Sequence, residues 1–246
     1  MFIGRAILGV GVALTLAGAS QAAAFRISPI GVEIPAAQRA ETVTVTNTDV
    51  EPVNLQVRIF KWSQVDGEDR LDPTNEVIAS PPAASIPAGK SYTIRIARRA
   101  IGPVATEQTY RLFIDELPKP IDPKASGQGV SMVLRTSMPV FVVDKKQSAT
   151  LNWRVWSDVK GVHVEASNSG QRHGRISSLK LQQGGGAAVD FGSGLNGYVL
   201  PGAQKIFTVK PAEGAAPSSM KVGSEVMLTA VNEGQEIKTT VVVQGG

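Results

Sequence analysis

A chain of 246 residues without a single cysteine has no disulfide to staple it and no thiol for catalysis or metal ligation. Its packed cores alone must hold it together, which is feasible at this size. A net charge of +4, with no Lys/Arg run and no aromatic–basic module, argues against a nucleic-acid binder, and two histidines leave little for a zinc site.

Residues 1–24 come first because they set the compartment. Arg5 gives the start one positive charge, an apolar run extends from Ala6 to Ala17, and Ala22-Ala23-Ala24 ends it. That is the pattern of a secretory signal peptide cleaved after Ala24, with Ala22 as the alternative. The run is too short and too rich in glycine for a spanning helix of about 20 residues, so an exported chain that is not an integral membrane protein is expected. Removing 24 residues leaves 222 and lowers the net charge to +3. A chain of that length can build two cores of roughly 100 residues each.

Beyond residue 24 the sequence reads as all-β, with no helical periodicity. Strands are expected at 25–34, 42–47, 53–62, 91–97, 109–117 and 130–143. Val43 and Val45 alternate with threonines, and Val53, Leu55, Val57 and Ile59 continue that pattern, so both rows should face a core. Residues 66–75 look polar and turn-like. Ser80-Pro81-Pro82 and Pro87-Ala88-Gly89 then punctuate the approach to the strand at 91–97. The charged segment Asp144-Lys145-Lys146-Gln147-Ser148 is the expected boundary between a domain at 25–143 and a second at 149–246. In the second, strands are expected at 150–155, 162–166, 176–182, 198–200, 205–209, 225–232 and 236–243. Their connections are richer in glycine.

No catalytic constellation can be assembled. His163 alternates with Val162 and Val164 and is expected to be an exposed strand residue beside Glu165, while His173 falls in a polar loop. No serine sits in a Gly-x-Ser-x-Gly elbow. Gly184-Gly185-Gly186 precedes no helix and reads as a flexible loop rather than a phosphate cradle. Asp66, Glu68, Asp69 and Asp72 lack the spacing of an EF-hand calcium loop and read as a solvated connection. No metal or cofactor is implied. The informative segment is 130–135. Val130, Met132 and Leu134 form one apolar row and Val133 can reach the other face, as in a strand covered on both sides. It is either a central sandwich strand or an exposed edge that binds another chain by strand addition. Pro139, which cannot donate to a ladder, belongs at an edge or a bulge.

An ordered string of motifs then resembles the periplasmic chaperones of the chaperone–usher pathway, and its archaic branch in particular. It runs from Phe25-Arg26-Ile27-Ser28-Pro29-Ile30 and Val43-Thr44-Val45-Thr46-Asn47 to Trp62-Ser63-Gln64 with Asp66-Gly67-Glu68-Asp69. It continues through Ser80-Pro81-Pro82, Ile86-Pro87-Ala88-Gly89, Tyr92-Thr93-Ile94-Arg95-Ile96 and Tyr110-Arg111-Leu112-Phe113-Ile114-Asp115-Glu116-Leu117-Pro118. Leu134-Arg135-Thr136-Ser137-Met138-Pro139-Val140-Phe141-Val142 closes it. The resemblance covers almost the whole first domain and is weak in the second. It implies two immunoglobulin-like β-sandwich domains arranged as an L, with a cleft between them that binds a subunit. It implies a non-enzymatic chaperone that lends Val130, Met132 and Leu134 to an incomplete pilin-like subunit and delivers it to an outer-membrane usher. A self-capping dimer of the free chain is compatible with such a role.

The family's basic anchor for the C-terminal carboxylate of the bound pilin falls at Gly31 and Pro139, neither of which can bind an anion through its side chain. Arg95, Arg111 and Arg135 are the candidate replacements. The family's interdomain ion pair is also incomplete: Glu116 matches, but Val143 stands where an arginine is usual. The alternative is a secreted structural or adhesive Ig-like module, weakened by an aromatic content of only 5%. A sugar-active enzyme lacks paired carboxylates that can be placed in one site.

Overall fold

The structure, a computed structural model, describes residues 25–118, 133–211 and 220–245. Every regular element among them is a strand. The expected signal peptide, and Val130 and Met132 of the expected last strand, lie outside the described residues.

Ten strands build the first sandwich. They are β1 (Phe25–Ser28), β2 (Val32–Pro35), β3 (Ala40–Asn47), β4 (Val53–Val65), β5 (Glu68–Pro73), β6 (Val77–Ser80), β7 (Ala83–Ile86), β8 (Ser91–Arg98), β9 (Gln108–Glu116) and β10 (Arg135–Val143). One sheet has the order β1-β3-β8-β6 and the other β2-β10-β9-β4-β5, with β7 added to β4. The expected single strand at 25–34 is therefore two. Three residues, 29–31, carry the chain from one sheet to the other, where β2 pairs in parallel with β10.

The residues expected to face a core do so. Val43, Val45, Val53, Leu55 and Val57 are buried, and they pack with Ile94, Ile96, Leu112, Ile114 and Val140, while Ile59 packs partly buried against them. Residues 66–75, expected as a polar loop, instead turn tightly into β5. Asp66 and Gly67 take positive φ of 52° and 81° and join Val65 to its partner Glu68. A two-residue Asp-Gly turn matches the twist of the strands it joins, and a solvated ribbon needs no apolar alternation.

The second sandwich has eight strands. They are β11 (Leu151–Asp158), β12 (Gly161–Asn168), β13 (Gly174–Gln182), β14 (Val189–Asp190), β15 (Leu195–Val199), β16 (Gln204–Val209), β17 (Glu225–Asn232) and β18 (Gln235–Gln244). β11, β12 and β16 form one layer and β13, β17 and β18 the other, joined where the end of β18 pairs in parallel with β11. Val155, Val164, Ala166 and Phe207 from the first layer meet Ile176, Leu181, Leu228 and Ala230 from the second.

A buried asparagine ends β3 in the first sandwich and β12 in the second, and each ties down neighbouring loops. Asn47 donates to the carbonyls of Glu51 and Ile86. Asn168 donates to those of Arg172 and Val199 and accepts from the amides of Thr150 and Gly170.

Candidate functional site

β10 is paired differently along its length. Residues 140–142 lie between β2 and β9 and Val143 pairs with β2, whereas 135–139 pair with β9 alone among the described residues. β10 is therefore a buried centre towards Val143 and an open edge towards Arg135 among the described residues. Pro139 sits where the second partner stops, a place that tolerates a residue without an N–H. Before the edge, Val133 and Leu134 are 52% and 37% exposed. Leu134 is steadied by Glu116, whose carboxylate accepts its amide and whose own amide donates to its carbonyl.

Cross-strand pairing aligns Phe60 with Arg111, Arg58 with Phe113 and Gln56 with Asp115, and Arg111, Phe113 and Asp115 with Pro139, Ser137 and Arg135. Paired residues share a face, so this outer sheet face is a stripe of arginines and aromatics. Phe60 and Phe113 meet edge to face at 5.6 Å. Asp115 accepts from Arg58 at 2.6 Å and from Arg135. Burial pushes the Asp115 carboxyl up, but the two guanidiniums outweigh it and hold it below its ordinary value.

Arg111 is differently placed. Its guanidinium lies 3.8 Å from the Trp62 ring and 5.6 Å from that of Tyr198, and it forms no ion pair among the described residues. Burial pushes its pKa down, partly opposed by the nearby Asp69 charge. A desolvated cation without a paired carboxylate gains from an added anion. Of the three candidate arginines, Arg111 and Arg135 share this face. Arg95 is exposed on β8 in the other sheet and does not join them.

The two positions where an anchor was expected meet in space, since a Cβ on Gly31 would lie 3.5 Å from the Pro139 ring. They border a cleft of about 240 Å³ whose opposite wall carries Arg175, Tyr198 and Glu233 of the second sandwich.

Behind the cleft the sandwiches are welded. Trp62, Phe141 and Val143 bury themselves with Leu200, against which Tyr198 and Ala203 pack. The Gln64 side chain donates to the Tyr198 carbonyl and accepts from the Leu200 amide, both at 2.9 Å, each bond contributing about 1 kcal/mol. Trp62 Nε1 is buried without a hydrogen-bond partner among the described residues. Arg172 pairs with Glu33, and the Glu107 amide donates to the Gln171 carbonyl.

His173, expected in a polar loop, is 2% exposed. Its Nδ1 lies 2.9 Å from the Glu107 carboxylate and its Nε2 3.1 Å from that of Glu233, and its ring stacks on Phe141 at 3.8 Å. Burial alone would lower the imidazole pKa, but the two carboxylates raise it above its ordinary value. His163 also departs from expectation. It is on the outward face, as alternation requires, yet only 6% exposed, because Trp156 stacks on it at 4.9 Å and Asp158 and Thr208 take its nitrogens. Alternation along one strand gives the face of a residue but not what a neighbouring strand lays over it. Sequence reasoning likewise missed Gln64, Glu107 and Glu233, whose partners are 60 to 136 residues away.

The family model described as pili and flagellar-assembly chaperone, PapD N-terminal domain, matches residues 24–146. A chain from the CsuC–CsuE chaperone–tip adhesion subunit pre-assembly complex of the archaic chaperone–usher Csu pili of Acinetobacter baumannii is 26% identical. It matches with a TM-score of 0.65 over 91% of this chain and 100% of that one. The CupB2 chaperone of Pseudomonas aeruginosa (20% identity, TM-score 0.56, 89% and 100% covered) shares the fold. So does a chain of the Salmonella enterica SafA pilin–SafB chaperone complex (16%, 0.58, 91% and 98%). No curated protein matches.

Proposed function

The chain belongs to the family of pili and flagellar-assembly chaperones with a PapD-type N-terminal domain, which makes it a two-domain, Ig-like pilus-assembly chaperone of the chaperone–usher pathway, and from that premise we propose that it works by lending a strand. The observation that carries this reading is the one-sided pairing of β10. Residues 135–139 offer a backbone edge unpaired among the described residues, and an incomplete subunit sandwich offers another. Pairing them satisfies both sets of backbone groups. Leu134, with Val130 and Met132 before it, would cover the apolar groove left by the missing subunit strand. Each side chain that buries fully would contribute roughly 1.5–3 kcal/mol. Such cover keeps an aggregation-prone subunit soluble until it is passed to an outer-membrane usher, and no bond is made or broken, so the role is non-enzymatic.

In the same reading Arg111 receives the C-terminal carboxylate of the bound pilin. It is the partly buried cation beside the open edge, paired across the sheet with Pro139 and without a carboxylate of its own among the described residues. Residues 25–143 and 149–246 are the two domains, a division supported by the lack of any strand pairing between β1–β10 and β11–β18 among the described residues. Cleavage after Ala24 would deliver the mature chain to the periplasm, and a second copy could cap the open edge in the absence of pilin.

The test is co-expression with the major pilin-like subunit and co-purification from periplasm. A stoichiometric complex that is lost in Met132→Asp plus Leu134→Asp supports the proposal. Undiminished complex and pilus formation by that double variant refutes it.

A further inference from the structure

The seam between the sandwiches contains a group that its apolar contacts do not require. His173 opens onto three surfaces at once. Glu107, on the loop before β9, belongs to the first sandwich and has a fully buried side chain. Glu233, in the turn between β17 and β18, belongs to the second and is 39% exposed at its side chain. Phe141, on β10, stacks on the imidazole at 15° from parallel.

Only the imidazolium can donate from both nitrogens to both carboxylates. The neutral ring has one N–H and must present a lone pair to one of the two anions. Deprotonation also leaves the buried Glu107 carboxylate with the His173 amide as a donor but with no cation against it among the described residues, and a buried unpaired charge is costly enough to reopen a seam to water. The charges around the ring do not replace the lost proton. Arg172 is committed to Glu33 of β2, and both Arg172 and Arg175 act on Glu233, at the more exposed end. Tyr198 contributes only its ring.

We propose that His173 is a positioning residue for pilin binding: as an imidazolium between Glu107 and Glu233, stacked on Phe141, it fixes the second domain against β10, so the angle between the domains and the width of the cleft depend on its proton. That the angle serves pilin binding rests on the strand-donation reading; the latch itself does not.

The sign follows from the raised folded-state pKa. The latch contributes fully below the unfolded imidazole value near 6.5 and is lost as pH rises through the higher folded value. The chain is well suited to the test, having two histidines and no cysteine. Proton NMR of the two imidazoles in the full mature chain, assigned with His163→Gln, reads the titration of His173. Spin labels at Val50→Cys and Val159→Cys, which are 89% and 85% exposed and lie one in each sandwich, read the interdomain distance. His173 is expected to titrate above 6.5, with one narrow distance distribution below its midpoint that broadens with the same midpoint above it. His163→Gln should leave that profile unchanged. Glu107→Gln should lower the His173 midpoint and broaden the distribution already at pH 6. His173 titrating at or below 6.5, or a distance distribution unchanged across its titration, would overturn the proposal. No pilin enters this experiment, so failure of the latch and failure of strand donation are read separately.

Discussion

Truncation of Phe141 to alanine tests whether the two sandwiches act as one body. The ring is 4% exposed and belongs to the seam rather than to either sandwich core. It stacks on His173 at 3.8 Å and lies 6.2 Å from Trp62 and 5.8 Å from Tyr198. Deleting a buried phenylalanine ring costs about 3–5 kcal/mol. Because the methyl that remains cannot reach His173 or Tyr198, the loss falls on coupling between the sandwiches. At about 2–4 °C per kcal/mol for a chain of this length, the first melting transition should fall by roughly 10 °C. Differential scanning calorimetry of the mature chain should show one cooperative transition for the parent. For Phe141→Ala it should show two resolved ones, as each sandwich melts on its own. A cost below about 1 kcal/mol with a single unsplit transition would refute the seam as the coupling element, since surface truncations fall in that range.

Asp115→Asn should remove a pH-dependent contribution to stability. The carboxyl is held below its ordinary value, so its contribution is present above the unfolded pKa and lost as pH falls through the folded one; urea unfolding from pH 6 down to pH 2 should show a shallower loss in the variant. Gly170→Ala should destabilise the second sandwich, because a Cβ there would sit 2.4 Å from the Ser148 carbonyl oxygen and 2.5 Å from the Thr150 amide, backbone atoms that cannot yield cheaply; thermal unfolding measures it. Arg111→Ala should weaken pilin binding at least tenfold, with recovery in Arg111→Lys only partial, because a point charge does not stack on Trp62 as a planar guanidinium does. Titration calorimetry with a peptide of the pilin's last residues, its terminal carboxylate free or amidated, reads that difference.

What the sequence made legible was local. The alternation of Val43 and Val45, and of Val53, Leu55 and Val57, placed two strands and their inner faces because each row buries one side against one core. The hairpin at Asp66-Gly67, both at positive φ, was misread because the β4–β5 ribbon is solvated and carries no apolar rhythm to announce it. Shared burial was also invisible. Nothing near His173 in the chain reveals that Glu107 lies 66 positions away against it, and nothing near His163 reveals that Trp156 covers it from the adjacent strand. Trp62, Phe141 and Val143 read as ordinary apolar residues, and only the docking of β15 and its flanking loop makes them a seam. The one-sided pairing of β10 emerges only when the β2 ladder is seen to stop at Val140.

The most direct test of strand lending is backbone hydrogen exchange over residues 133–139, in the free chain and in complex with its pilin. Strand lending requires rapid exchange at the outward-facing amides of this stretch in the free chain and strong protection at alternate positions in the complex, with the already paired residues 140–143 little changed. Protection of the whole of β10 in the free chain, or no added protection on pilin binding, would contradict it.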